Sequence, residues 1–349
     1  MTKPEWASPR HSRTRVDRAG ETLIDASSSA SDRAEAVDVI NNWRSAHAFP
    51  LNTFQMLLRD RASKFDKTRT IAQRLKRLPS IEKKLLRFGG MRLTQVQDIG
   101  GCRAVMAALS QVERLANLYR SEPLAHTLVS SDDYIQNPDA SGYRAVHLIY
   151  RYQGKIHSEY NNLLIEIQLR SRLQHAWATA VETVDTFQNQ ELKFGGGEQA
   201  WRRFFALMGS IMAAREKTPG VPGTPQNEAA VLEELRELIV SLDVRRRLES
   251  YGAAVEATED ARARSSRWFL MTLEPGATAE QYALTIDGFE EEHFATKAYQ
   301  DAETRLAAHP GADVVLASVS SLRSLKRAYP NYYLDTHAFL DAMREAAGR

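Results

Sequence analysis

The sequence predicts an α+β protein of two units, and three observations predict it. Strand-type runs, "VQDIGGCRAVMAAL", "GYRAVHLIYRY" and "NLLIEIQLR", alternate with helical periodicity in the first two thirds of the chain. "KTPGVPGTPQ" crowds three prolines and two glycines together, which suits neither a helix nor a sheet ladder. Beyond it, a smaller α/β alternation begins. The expected boundaries are a disordered tail over 1–31, a first domain over 32–216, a Pro/Gly linker over 217–227 and a C-terminal domain over 228–349.

Each element rests on a local pattern. Residues 1–31 are rich in Ser, Arg, Thr and Asp and end in "DASSSASD", a composition that buries too little apolar area to order itself. From Asp32, the spacing of Ala36, Val39, Ile40 and Trp43 is helical, Pro50 interrupts, and Phe54, Met56, Leu57 and Leu58 start a second helix. "KTRTIAQRLKRLPSIEKKLLRF" reads as largely helical with a break near Pro79. The three strands follow, separated by a helical "QVERLANLYR" and by turn-rich polar stretches; helices over about 171–184 and 198–215 close the first unit. After the linker, a long charged helical pattern runs from Asn227 through "EDARARS". "RWFLMTL", "QYALTI" and "ADVVLASV" then read as strands, with helices over "EHFATKAYQDAETRLAAH" and "DTHAFLDAMREA".

Composition removes several classes of function. An apolar share of 43% supports real cores, while a net charge of +2 gives no global reason to bind nucleic acid or membrane. Cys102 stands alone, which excludes an internal disulfide framework and a cysteine zinc site, and suits a reducing cytoplasm. No apolar run is long enough for a signal peptide or a membrane span, so the expectation is a cytoplasmic protein.

Chemistry concentrates in four places. Between Lys67 and Arg87 eight cations face only Glu82. Such a run can be a solvated helix face, but Arg74, Lys76, Ser80 and Lys84 bracket the Pro79 break, so that a helix end and several cations can meet one phosphate chain. In "QDIGGCRAV" a carboxylate, a glycine pair and an arginine supply a metal ligand, room for close approach and a cation; Asp98 also suits a turn cap, and the glycines a bulge. In "DYIQNPDASGYRAVHLIY", Tyr143, Ala145 and His147 share a strand face that a flat ring can stack on, or that packs as ordinary sheet surface. "IEIQLRSRLQHAWA" puts Glu166, Gln168 and Arg170 on the polar side of a strand whose other side is Ile165, Ile167 and Leu169, and carries His175 into the next helix. Two converging acids can hold Mg²⁺, which takes one or two carboxylates plus phosphate oxygens.

The four motifs in this order, over roughly residues 40–215, resemble the synthetase domain of RelA/SpoT-type alarmone synthetases in its small form. The chain has no His-Asp dipeptide, which implies that the hydrolase domain of the long members is absent. The resemblance implies a mixed-sheet, nucleotidyltransferase-like fold and transfer of the β,γ-pyrophosphate of ATP to the 3′-hydroxyl of GDP or GTP. It implies Arg74, Lys76, Ser80, Lys84 and Arg103 as ATP contacts, and Asp98 as a Mg²⁺ ligand. Tyr143 is similar to the residue that stacks on the acceptor guanine and His147 to its neighbour near the acceptor phosphates. Glu166 matches the second acid, holding metal or activating the hydroxyl, with Gln168 and Arg170 completing its strand face.

One position departs from the pattern: Asp139 stands four residues before Tyr143, where the family commonly has a lysine that meets the acceptor phosphates. An acid there repels a phosphorylated acceptor unless Arg144 or Lys155 compensates. Toxic relatives modify the 3′ end of tRNA instead, with Arg44, Arg59, Arg61 and Lys64 among the candidate phosphate contacts here; a degenerate nucleotide-sensing module is the further alternative. Residues 228–349 lie outside the resemblance, and their expected role is to dock on the synthetase, regulating it or setting a homo-oligomer. "YPNYYLDTHAF" there is either an exposed aromatic anchor or the core of a small domain.

Overall fold

A strand with neighbours on both edges needs no sequence alternation of its own to form, and the basic segment supplies one. Thr70–Leu75 is β1, paired antiparallel on one side with β2 (Gly100–Met106) and on the other with β9 (Asp313–Ser318). The helical expectation for this stretch is therefore corrected: only its second half, α4 (Leu78–Arg87), is helix, with Pro79 in the first turn where a missing N–H costs nothing. The computed structural model describes residues 6–348 except 123, 189–197, 254, 260–265, 277–280, 307–308, 310–311, 320 and 334–335.

The sheet is mixed and has nine strands in the order β3-β4-β5-β2-β1-β9-β7-β8-β6. β3 is Thr127–Asp133, β4 Val146–Arg151, β5 Leu164–Ser171, β6 Val255–Glu259, β7 Trp268–Pro275 and β8 Tyr282–Phe289. β2 runs parallel to β5 and β6 to β8, while the other pairs are antiparallel. The α+β class holds, but the C-terminal strands continue the first sheet and do not form a sheet of their own. The segment over 217–227 carries neither helix nor strand.

Helices α2 (Ala30–Ala46), α3 (Ala48–Ser63) and α5 (Leu109–Ser121) cover one face of the first strands, where Phe54, Leu58, Cys102, Leu115, Ile165 and Ile167 are fully buried. α1 (Arg13–Ile24) corrects the expected tail. Ser12 caps it and Val16, Ala19 and Leu23 align on one side into the same core, a pattern that average composition conceals. β3 also went unpredicted, because an edge strand exposed on both sides shows no alternation.

The opposite face carries α6 (Arg172–Gln188), against which pack α7 (Gln199–Glu216), α8 (Glu228–Ser241), α9 (Val244–Ala253) and α12 (His337–Ala347). The single long helix expected after the linker is two, broken where Asp243 takes φ 48°, and its end is β6; residues 260–265 lie outside the described ones. α10 (Glu292–Leu306) lies on β7 and β9, and α11 (Leu322–Ala328) with the 3₁₀ turn Pro330–Tyr332 packs on their other side. Tyr329, Tyr332 and Phe339 are core: each is at most 3% exposed.

Candidate functional site

Strand alternation turns Arg74 of β1, Gly101 and Arg103 of β2, and Glu166, Gln168 and Arg170 of β5 to the face that α6 and α11 cover. His147 of β4 lies opposite Gln168 on that face. Gly100 packs beneath, where an added Cβ would stand 2.8 Å from Ile165, whereas Gly101 has only the Glu166 carboxylate within 4 Å. The glycine pair thus serves packing at one residue and access at the next.

Asp98, just before β2, is the hub of the cationic half. Lys76 donates to one of its oxygens at 2.5 Å and Lys84 of α4 to the other at 2.9 Å. Burial opposes its charge, but the two ammonium groups hold it well below the usual carboxylate range. Ser80 sits in the first turn of α4. Glu303 of α10 accepts the Leu78 N–H at that helix start, 3.0 Å away, and also pairs with Arg44 at 2.7 Å and Tyr299 at 2.8 Å.

The aromatic half is a chain of contacts. Tyr143 Oη accepts from Arg170 at 2.5 Å and lies 2.6 Å from His147 Nε2, and His147 Nδ1 lies 3.0 Å from Glu166. Gln168 donates to Glu166 at 2.6 Å and accepts from Arg170 at 3.1 Å. Burial disfavours a charged His147, yet Tyr143 and Glu166 raise its pKa to about 9. Glu166 is in turn held below its ordinary value, against burial, chiefly by His147. The turn before Tyr143 demands glycine: Gly142 has φ +92°, and a Cβ there would stand 2.9 Å from the Phe205 carbonyl of α7.

The structure therefore gathers every expected site residue around one sheet face, with Ser80 at its rim. Of the two residues expected to compensate Asp139, Arg144 does not. Arg144 is buried and donates to the Ile135 and Pro219 carbonyls, and Asp139 caps its own turn through Ser141. Arg44 and Arg61 are equally unavailable as phosphate contacts, being buried against Glu303 and against backbone carbonyls at 118 and 122.

Sequence reasoning missed what lies over Arg103. The Tyr329 ring stands 5.1 Å from that guanidinium, Tyr329 Oη donates to the Gln73 carbonyl at 3.0 Å, and Arg103 donates to the Ala328 carbonyl. Burial lowers the pKa of Arg103 to about 10. Arg77 pairs with Asp313 and donates to Tyr332 Oη at 3.3 Å. The signal available was the spacing of Tyr329, Tyr332 and Tyr333, without any hint of what they meet. Among the described residues, no group of three or more His, Cys, Asp and Glu is gathered to hold a metal ion, and no helix is long and apolar enough to cross a membrane.

Residues 73–191 match the family described as a region found in RelA / SpoT proteins. The GTP pyrophosphokinase YwaC of Bacillus subtilis (strain 168) is 30% identical over 111 residues, which cover 30% of this chain and 52% of that protein. The GTP pyrophosphokinase YjbM of the same organism is 31% identical over 84 residues, 24% of this chain and 39% of that protein. The chain thus spans about half the length of one curated relative and less of the other. Among solved structures, a GTP pyrophosphokinase family protein from Streptococcus pneumoniae is similar with a TM-score of 0.41 and 19% identity, covering 57% of this chain and 93% of that one.

Proposed function

We propose that the protein is a cytoplasmic pyrophosphokinase that moves the β,γ-pyrophosphate of ATP to the 3′-hydroxyl of GDP or GTP, and that its C-terminal segment covers the donor site. One observation carries the reading: a single sheet face is divided between a cation-lined half on β1, β2 and α4 and an aromatic half on β4 and β5, with Asp98 and Glu166 between them. In this reading Arg74, Lys76, Ser80, Lys84 and Arg103 take the donor, while Tyr143 stacks on the acceptor base, with His147, Gln168 and Arg170 around it. The new bond joins the 3′-oxygen to the β-phosphorus, the bridge to the α-phosphate breaks, AMP leaves, and the hydroxyl proton passes to water. The work of the protein is in-line positioning and charge neutralisation.

The residues fit Mg²⁺. Asp98 and Glu166 bear on each other electrostatically across the site, and two carboxylates with phosphate oxygens are a suitable donor set. Bound there, the ion would offset charge on the transferring group. Lys76 and Lys84, which now neutralise Asp98, are placed to turn to the phosphates. Glu166, held acidic, is better suited to binding a cation than to removing a proton.

The cover is residues 322–333, with Asp313 of β9 at its edge. Tyr329 and the Ala328 carbonyl occupy the partners that Arg103 would offer a nucleotide, and Asp313 and Tyr332 engage Arg77 beside the donor cations. The test incubates the full chain and its Tyr329→Ala variant with γ-labelled ATP and Mg²⁺, offering GDP, GTP and deacylated tRNA separately. Label in a guanosine tetra- or pentaphosphate is expected. Label on tRNA alone would overturn the acceptor assignment and give Asp139 a part in specificity, and no transfer by either protein would overturn the enzyme reading.

A further inference from the structure

Two guanidinium groups on the site face, Arg103 and Arg170, each leave a buried Nε without a hydrogen-bond partner, and the imidazole they flank leaves both ring nitrogens bare. That imidazole is His175, in the first turn of α6 and 7% exposed. Burial first, then Arg103 and Arg170, hold it far below its ordinary pKa, so the ring is neutral. The Arg327 carbonyl of the cover bears on the ring without reaching hydrogen-bonding geometry. Buried polar atoms are normally paired, and here an imidazole without a partner lies beside two guanidinium Nε atoms that also lack one, although both guanidinium groups donate elsewhere.

The chemistry and the position select what His175 can meet. A neutral imidazole offers one N–H and one lone pair, whereas phosphate oxygens call for cations. Arg170 lies four residues along β5 from Glu166, about 13 Å at the rise of an extended strand. Arg103 lies two residues beyond Gly101, the register partner of Glu166. His175 therefore stands away from the carboxylates where phosphate chemistry would take place, toward the end where a nucleotide has its base and ribose. The segment that covers Arg103 also covers His175, which puts the ring on the donor side.

We propose that His175 is a binding residue for the nucleoside end of the donor, hydrogen-bonding its base or ribose when residues 322–333 lift. The proposal rests on the donor-site reading above and gives that site a neutral, hydrogen-bonding element beside its cations.

The test measures binding of a non-hydrolysable ATP analogue and, separately, of inorganic tripolyphosphate. It uses the full-length Tyr329→Ala chain and the same chain carrying His175→Leu or His175→Gln. His175→Leu is expected to weaken the analogue about five- to tenfold, the weight of one hydrogen bond, and to leave tripolyphosphate unchanged. His175→Gln, which keeps a donor and an acceptor, should stay within about threefold of the parent. The melting temperature of the His175→Leu chain should fall little, since at most a weak contact with the Arg327 carbonyl is lost. Equal analogue affinity in the His175→Leu chain, or parallel loss of analogue and tripolyphosphate, would overturn the contact alone. A parent that binds neither probe would overturn the donor-site reading and the contact with it.

Discussion

Truncating Tyr329 to alanine should raise the donor affinity of the full chain by about 10²-fold to a few times 10³-fold. Tyr329 is 3% exposed, its ring lies 5.1 Å from the Arg103 guanidinium, and its hydroxyl donates to the Gln73 carbonyl at 3.0 Å. A desolvated cation–π contact contributes about 1–2 kcal/mol, the hydrogen bond about 0.5–1, and burial of the ring about 1.5–2 more. The closed form should thus lose about 3–5 kcal/mol, the usual range for truncating a buried aromatic side chain. At 1.4 kcal/mol per decade this multiplies the open fraction by about 10² to a few times 10³, and apparent affinity rises with it until the open state dominates. Tyr329→Phe, which removes only the hydroxyl, should give about fivefold. The assay is titration with a non-hydrolysable ATP analogue, followed by calorimetry. Leu316→Ala is the control, because Leu316 is buried on the other side of β9 against α10 and costs stability without touching the site. If Tyr329→Ala leaves affinity where it was, or if Leu316→Ala raises it equally, the cover is merely core and the reasoning fails.

Four other outcomes follow from the same geometry. Asp98→Asn should cut transfer at least about 10³-fold and cost on the order of 2 kcal/mol, since it leaves Lys76 and Lys84 partly buried without a counter-charge; turnover within tenfold of the parent would remove Asp98 from the mechanism. Glu303→Gln strands Arg44, whose side chain is 3% exposed, and should cost about 3 kcal/mol by denaturant titration; a loss under about 0.5 kcal/mol would show the pair to be dispensable. Tyr143→Ala should raise the acceptor KM while donor affinity stays within about threefold, and equal losses in both would remove the stacking role. Glu292, buried and held by burial at a pKa of about 7 against an ordinary 4.5, is neutral in the fold where the unfolded chain is ionised. Its contribution to stability is therefore greatest below pH 4.5 and falls by about 3 kcal/mol as pH rises through 7. Glu292→Gln should flatten that fall, and identical pH profiles for the two proteins would contradict the sign.

The parts of the molecule that sequence made legible are those where chemistry dictates a residue type. Asp98 and Glu166 must be acids to meet cations, and Lys76 and Lys84 must be ammonium groups to meet Asp98. Such demands leave spaced motifs even when the secondary structure around them is misread. β1 shows this: its residues pattern as helix, and pairing on both edges overrides the pattern, yet Arg74 and Lys76 serve the same face either way. The tail failed for the opposite reason, since Val16, Ala19 and Leu23 need only be apolar at helical spacing, and three apolar residues vanish in an averaged composition.

The cover was illegible because it holds the site largely through the backbone. Arg103 meets the carbonyl of Ala328, Tyr329 meets the carbonyl of Gln73, and the Arg327 carbonyl faces His175. Any residue type supplies those oxygens, so no motif can mark them. The two halves of the sheet join through equally silent contacts: β1 and β9 share only the pairs Gln73↔Ser318 and Arg74↔Ala317, against six between β1 and β2 and six between β7 and β9. The backbone seam is short, side-chain contacts such as Arg44–Glu303 and Gln55–Ser318 complete the join, and the seam runs through Arg74, a residue of the proposed donor half. A chain with a short backbone seam between two broader sheets, and the proposed binding face lying across that seam, can couple opening to nucleotide access without any residue whose type announces it.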